Sequence, residues 1–141
     1  MSVVAVIQAR MSSSRLPGKV LEDLAGQPML ARVVNRTCRA RTLDAVAVAT
    51  TVAPADDPIV RLCDTQGWIC LRGSEDDVLD RYYQVARALE ASSVVRITAD
   101  CPLIDPDIID RIVGQFLSHR AEVDYVSNTI VRSFPRGLDV E

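Results

Sequence analysis

Residues 3–19 read VVAVIQARMSSSRLPGK: five consecutive apolar residues, then an abrupt change to a hydroxyl-rich, cationic stretch. A near-continuous apolar run of this length predicts a strand, over residues 3–9, buried on both faces inside a parallel sheet. The pattern recurs downstream. Residues 45–51 (AVAVATT) and 93–98 (SVVRIT) predict further buried strands, and residues 68–71 a short one. Between them lie stretches with helical spacing. Over residues 28–39, Met29, Leu30, Val33, Val34 and Thr37 share one face, with Arg32, Arg36 and Arg39 outside. Residues 57–66 predict a second helix. Residues 75–91 predict a third, with Val78, Leu79, Tyr82, Val85, Ala86 and Leu89 on one side. Ser74 is its expected N-cap, and the acids at 75, 76 and 77 suit the positive end of the helix dipole. Residues 106–118 predict a fourth helix, with Asp105 as cap, and residues 124–127 and 138–140 two strand fragments. Strands alternating with helices imply an α/β fold, a three-layer Rossmann-like, mostly parallel sheet.

The 141 residues form one domain's length, and 48% hydrophobic content supplies a core that a disordered chain lacks. No apolar run approaches the ~20 residues of a membrane span. No basic segment precedes the opening apolar run, so it does not read as a signal peptide. A cytoplasmic location is expected, with no membrane partner. The cysteines at 38, 63, 70 and 101 form no CxxC and His119 is the single histidine, which argues against a zinc site. Free thiols in a reducing compartment are the plain reading. A net charge of −3 and only 4% aromatic residues argue against a nucleic-acid partner, bound either through phosphates or by stacking.

The distribution of charge is more informative than its sum. The first nineteen residues hold Arg10, Arg15 and Lys19 and no acid, and Lys19 is the only lysine. Small residues let backbone amides approach a phosphate, and cations neutralise it. Neither GxxxxGK[ST] nor GxGxxG is present. A second unusual segment is RITADCPLIDP, residues 96–106, where Asp100 directly follows a strand. Ligands of open α/β sheets bind beyond the carboxyl ends of the strands. A carboxylate there is a hard oxygen ligand suited to a Mg²⁺ held mainly by substrate phosphates. Together the two segments point to a phosphate-bearing ligand.

Four stretches carry a resemblance: IQARMSSSRLPGKVLEDLAGQPML, GSEDDVLDRYYQVA, VVRITADCPLIDP and YVSNTIVRSFPRGLDVE. In this order they resemble the cytidylyltransferases that activate acidic sugars, the 3-deoxy-manno-octulosonate and acylneuraminate enzymes. They are most similar to the spore-coat polysaccharide biosynthesis subgroup. The resemblance implies a nucleotide-diphospho-sugar transferase fold and transfer of CMP from CTP to a sugar, with release of pyrophosphate. By motif match, Arg10, Arg15 and Lys19 hold the triphosphate together with backbone amides of residues 11–14, that is Met11, Ser12, Ser13 and Ser14, beside Ala9. Thr98 and Ala99 fall near the base or ribose, and Arg81 lines the nucleotide pocket. Arg10, Lys19 and Asp100 are the implied catalytic set, and Asp100 the implied Mg²⁺ ligand. Asp139 is the one late candidate for a second metal ligand.

Two features depart from the family pattern. Ala99 and Cys101 stand where the sugar-acid enzymes usually carry glycine and glutamate, and family members are longer. Residues 1–141 are therefore expected to be a single nucleotidyltransferase-like domain forming the N-terminal portion of a longer one. Two alternatives stay open on the residues alone: a nucleotide-sugar-dependent glycosyltransferase, and a nucleotide-binding unit without turnover. A homodimer is the commonest assembly and one the family uses.

Overall fold

The opening apolar run forms strand β1, Val3–Gln8, whose side chains alternate between two buried faces; Val3 through Ile7 are at most 3% exposed. The computed structural model describes residues 2–141. After β1 the chain crosses a long loop and makes a small antiparallel hairpin, β2 (Asp23–Leu24) with β3 (Gln27–Pro28). It then alternates: α1 (Met29–Thr37), β4 (Ala45–Thr51), α2 (Asp57–Gln66), β5 (Ile69–Gly73), α3 (Val78–Ala88), β6 (Ser93–Thr98) and α4 (Pro106–His119). The main sheet has the order β5-β4-β1-β6 and every pairing in it is parallel.

The alternation of β1 builds the layers. Val3, Ala5 and Ile7 pack with Leu30, Val33 and Val34 of α1, Ile59 and Cys63 of α2, and Ile109 and Val113 of α4. Val4 and Val6 pack on the other face with Val85 of α3. Each fully buried Val or Ile contributes about 1.5–3 kcal/mol relative to exposure, so this central strand organises both cores. From β1 the chain moves to β4 and β5 on one side, then returns to β6 on the other. The carboxyl ends of β1 and β6 thus flank the point where the strand order reverses, with Gln8 in register with Thr98.

Local details differ from the sequence reading. Helix α1 begins at Met29, because Pro28 is taken up by the hairpin that the sequence pattern did not announce. Helix α3 begins at Val78 with Asp77 as N-cap, its carboxylate accepting from the Asp80 amide at 2.9 Å. Ser74, the expected cap, instead accepts from the Asp77 amide at 3.2 Å in the preceding turn. Asp77→Ala is therefore expected to cost about 1 kcal/mol in urea denaturation, and Ser74→Ala less. The reverse order would return the cap to Ser74. Asp105 does cap α4, accepting from the Asp107 amide at 2.8 Å.

The two expected strand fragments near the end are not strands. The Asn128 side chain holds this region together instead, donating to the Leu138 carbonyl at 2.7 Å and accepting from the Val140 amide at 3.0 Å. One residue further, Glu141 and Arg96 exchange amide–carbonyl bonds of 2.7 and 3.4 Å on the outer edge of β6. Among the described residues no helix is long and apolar enough to cross a membrane.

Candidate functional site

The loop after β1 is fastened at both ends and free in its middle. The Ala9 amide continues the sheet ladder to the Ala49 carbonyl at 2.9 Å. The Met11 amide donates to Asp56 Oδ1 at 2.7 Å, and the Met11 carbonyl accepts from the Gly18 amide at 2.8 Å. Gly18 has φ +73, a left-handed conformation that lets the chain turn from the loop into the short 3-10 turn Lys19–Leu21. Between these anchors the backbone amides of Ser12, Ser13, Ser14 and Arg15 have no protein acceptor among the described residues. A run of unpaired amides on an anchored loop is a concavity for an anion.

These residues line a cleft of about 400 Å³ at the carboxyl ends of β1 and β6. Arg10, Ser12, Ser13, Ser14, Arg15 and Lys19 form one wall, and Arg96, Thr98, Ala99 and Asp100 the other, with Gln8 and Val20 between. Arg10, Arg15 and Lys19 face one carboxylate, while Arg96, on the same wall as Asp100, is paired with Glu141 at 2.8 Å. Lys19 Nζ lies 3.2 Å from Asp100 Oδ2, with side chains 29% and 49% exposed. Partial burial pushes the Asp100 carboxyl up, but hydrogen bonding from Thr98 and Lys19 and the Lys19 charge outweigh it. The net effect holds the carboxyl below its usual range, so it is ionised at neutral pH. Arg10 and Arg15 are exposed on the cleft wall and meet no carboxylate among the described residues. Burial pushes the neighbouring Cys101 thiol up; Thr98 pulls it back, and the Asp100 and Asp139 charges raise it again. A thiol held neutral is not a nucleophile.

The structure brings most of the sequence-derived residues to this cleft, but not all. Ala9 is 2% exposed, with its amide spent in the ladder. Met11 turns its side chain into the core and its amide to Asp56. Between the Met11 and Gly18 anchors, the unpaired amides are accordingly those of residues 12–15. Arg81 is 1% exposed and lies away from the cleft; its guanidinium donates to the Ser74 and Glu75 carbonyls and braces the turn before α3. A Cβ on Gly73 would stand 2.9 Å from Arg81 Cγ, so glycine at 73 is what admits this brace. Asp139 is held by Arg132 in a two-pronged pair, 2.7 and 3.3 Å, and does not line the cleft.

Two contributors escaped the sequence reading. Asp56, 2% exposed, carries the loop: it accepts from Met11 and from the Thr51 hydroxyl. Arg72 fixes its turn, donating to the Thr51 and Ala53 carbonyls at 2.8 Å and pairing with Asp57 at 2.7 Å. In sequence Asp56 is one of two acids opening a helix, which gives no hint of a partner 45 residues away. Arg96 is the other; a lone charge inside an otherwise apolar strand was the signal. At the opposite strand ends an apolar cavity of about 310 Å³, lined by Val95, Val113 and Phe116 among others, lacks such a convergence of charge.

Against known proteins, residues 4–135 match the model of a family described as cytidylyltransferase. The spore coat polysaccharide biosynthesis protein SpsF of Bacillus subtilis is 35% identical over 130 residues, covering 89% of this chain and 54% of that protein. A 3-deoxy-manno-octulosonate cytidylyltransferase of Anaeromyxobacter dehalogenans is 44% identical over 115 residues, covering 79% and 46%. Among solved structures, a cytidylyltransferase from Leptospira borgpetersenii superposes with TM-score 0.94 at 35% identity, over 99% of this chain and 59% of that one. A CMP:2-keto-3-deoxy-manno-octonic acid synthetase complexed with CTP gives 0.76 at 28%, over 86% and 49%. The chain thus spans about half the length of the curated relatives it matches.

Proposed function

The chain belongs to the cytidylyltransferase family, and on that footing we propose that its cleft binds CTP for transfer of CMP to a sugar, releasing pyrophosphate, in polysaccharide or surface-glycan biosynthesis. The observation that carries this reading is the anchored loop whose four unpaired amides, with Arg10 and Arg15, face Asp100 across the switch point. A triphosphate is the polyanion that such a wall suits, and one relative was solved with CTP bound.

Magnesium fits this cleft in one mode. Mg²⁺ is usually held by one or two carboxylates, with the rest of its shell from substrate phosphates and water. Asp100 is ionised, half-exposed and the one acid on the cleft wall. It would hold the ion, which when bound supplies charge neutralisation for the phosphates. Asp139 does not join it in this conformation, being committed to Arg132. The protein's own contribution is positioning and electrostatics. Loop amides and the Arg10 and Arg15 guanidiniums grip phosphate oxygens, and Thr98 and Ala99 form the opposite wall. The Lys19–Asp100 pair is partly solvated, and such pairs contribute only about 0–1 kcal/mol. Opening it is therefore cheap: Lys19 can turn to the phosphates and free Asp100 for a cation.

Thermal unfolding with CTP and Mg²⁺ tests the reading. A ligand that binds only the native state adds about 2.7 kcal/mol at one hundred times its Kd. A rise in Tm of several degrees is expected at millimolar CTP. No shift would remove the nucleotide assignment, and pyrophosphate released from CTP on addition of sugar acids would establish turnover.

A further inference from the structure

The outward stripe of α1 is not used by the nucleotide cleft. Arg32, Arg36 and Arg39 recur at helical spacing and line a separate groove of about 410 Å³ between α1, the β2–β3 hairpin and the turn at Pro102 and Leu103. Like charges at such spacing repel. This chain has 19 acids against 16 basic residues, so carboxylate partners are not scarce. Lys19, Arg41, Arg72, Arg96 and Arg132 each meet one. Arg32, Arg36 and Arg39 meet none among the described residues, and no acid lines the groove.

Two of the three are held in place by neutral acceptors. Arg32 donates to the carbonyls of Leu24, at 3.0 Å, and Ala25. Arg36 Nε donates to the Ile104 carbonyl at 2.7 Å. These bonds fix the guanidiniums without neutralising them, and Arg36 retains terminal N–H donors with no protein acceptor. Arg39 stands exposed one turn on. Beside them the groove is apolar, with Leu103 72% and Leu24 40% exposed. Forked guanidinium donors match phosphate and carboxylate geometry, and three uncompensated positive charges favour a dianion over a monoanion.

We propose that this groove is a second anion site, which takes a small molecule bearing a phosphate monoester next to an apolar portion. It stands apart from the nucleotide cleft and does not depend on that assignment. The test follows arginine Nε–Hε and backbone amide signals of the full chain by ¹⁵N NMR while phenyl phosphate or inorganic phosphate is added, with sodium chloride at matched ionic strength. The Arg36 Nε–Hε signal is expected to shift saturably, with phenyl phosphate binding at least threefold more tightly than inorganic phosphate. In Arg36→Gln with Arg39→Gln the titration is read at the Arg32 Nε–Hε and at the groove backbone amides, where the response is expected to weaken at least tenfold relative to the parent chain, while the response of the Ser12, Ser13 and Ser14 amides stays as it was. Arg39→Glu, which breaks no bond within the protein, should weaken it as well. Shifts that match sodium chloride, or that survive in both variants, would overturn the proposal.

Discussion

Asp56→Ala is expected to lower stability by about 2–4 kcal/mol and to weaken CTP binding although Asp56 does not line the cleft. The carboxylate is 2% exposed and satisfies two donors, the Met11 amide and the Thr51 hydroxyl. Thr51 is itself only 1% exposed, so water cannot readily replace the lost acceptor. Each orphaned buried donor costs roughly 1–3 kcal/mol. In a domain of this size the loss corresponds to a fall in Tm on the order of 10 °C. Beyond stability, the near end of the anion loop loses its anchor, and the Ser12, Ser13 and Ser14 amides lose their fixed direction. Asp56→Asn keeps an oxygen for Met11 and should recover more than half of both losses. Thermal unfolding and CTP titration of the two variants check this. Equal damage from Ala and Asn would mean that the charge of Asp56 matters rather than its anchoring bond.

Lys19→Ala is expected to raise the Kd for CTP by roughly 10- to 100-fold, the range for one charge-assisted hydrogen bond of about 1.5–3 kcal/mol. Removing the ammonium also leaves the Asp100 carboxylate facing the phosphates without its counter-charge, 3.2 Å from where Nζ had been. Arg61→Ala, on the exposed side of α2, removes one positive charge far from the cleft and should change the Kd by less than about twofold, since distant exposed charges are screened within ~10 Å at 0.1 M salt. Isothermal titration of both variants at one salt concentration decides the matter. Equal effects would show that affinity follows net charge and that the loop has no special grip.

The comparison of Arg10 with Arg81 shows how far residue chemistry alone carries. Both are arginines in segments that resemble a known nucleotide-binding family. Arg10 follows a strand end directly, and the strand rule alone places it at the ligand-binding edge. Arg81 lies on the fourth residue of a helix, where its direction depends on what the helix packs against. Its guanidinium goes to the Ser74 and Glu75 carbonyls because the turn before α3 presents two backbone acceptors beside it and Gly73 leaves room. The misplaced cap of α3 has a similar origin. Ser74 and Asp77 are both good capping residues, and only the course of the turn decided between them.

Apolar periodicity and side-chain chemistry are local properties, and they suffice to read the buried strands, their alternation with helices and the cationic hydroxyl-rich loop from the chain alone. Only the packed fold sets Lys19 against Asp100, 81 residues apart, across the cleft, brings Asp56 back to Met11, and leaves Arg32 and Arg36 of α1, with Arg39 just past its end, without carboxylates. Those pairings follow from the strand order β5-β4-β1-β6, which sets one loop end beside another through hydrogen bonds between residues far apart in the chain, and no local pattern encodes such neighbours.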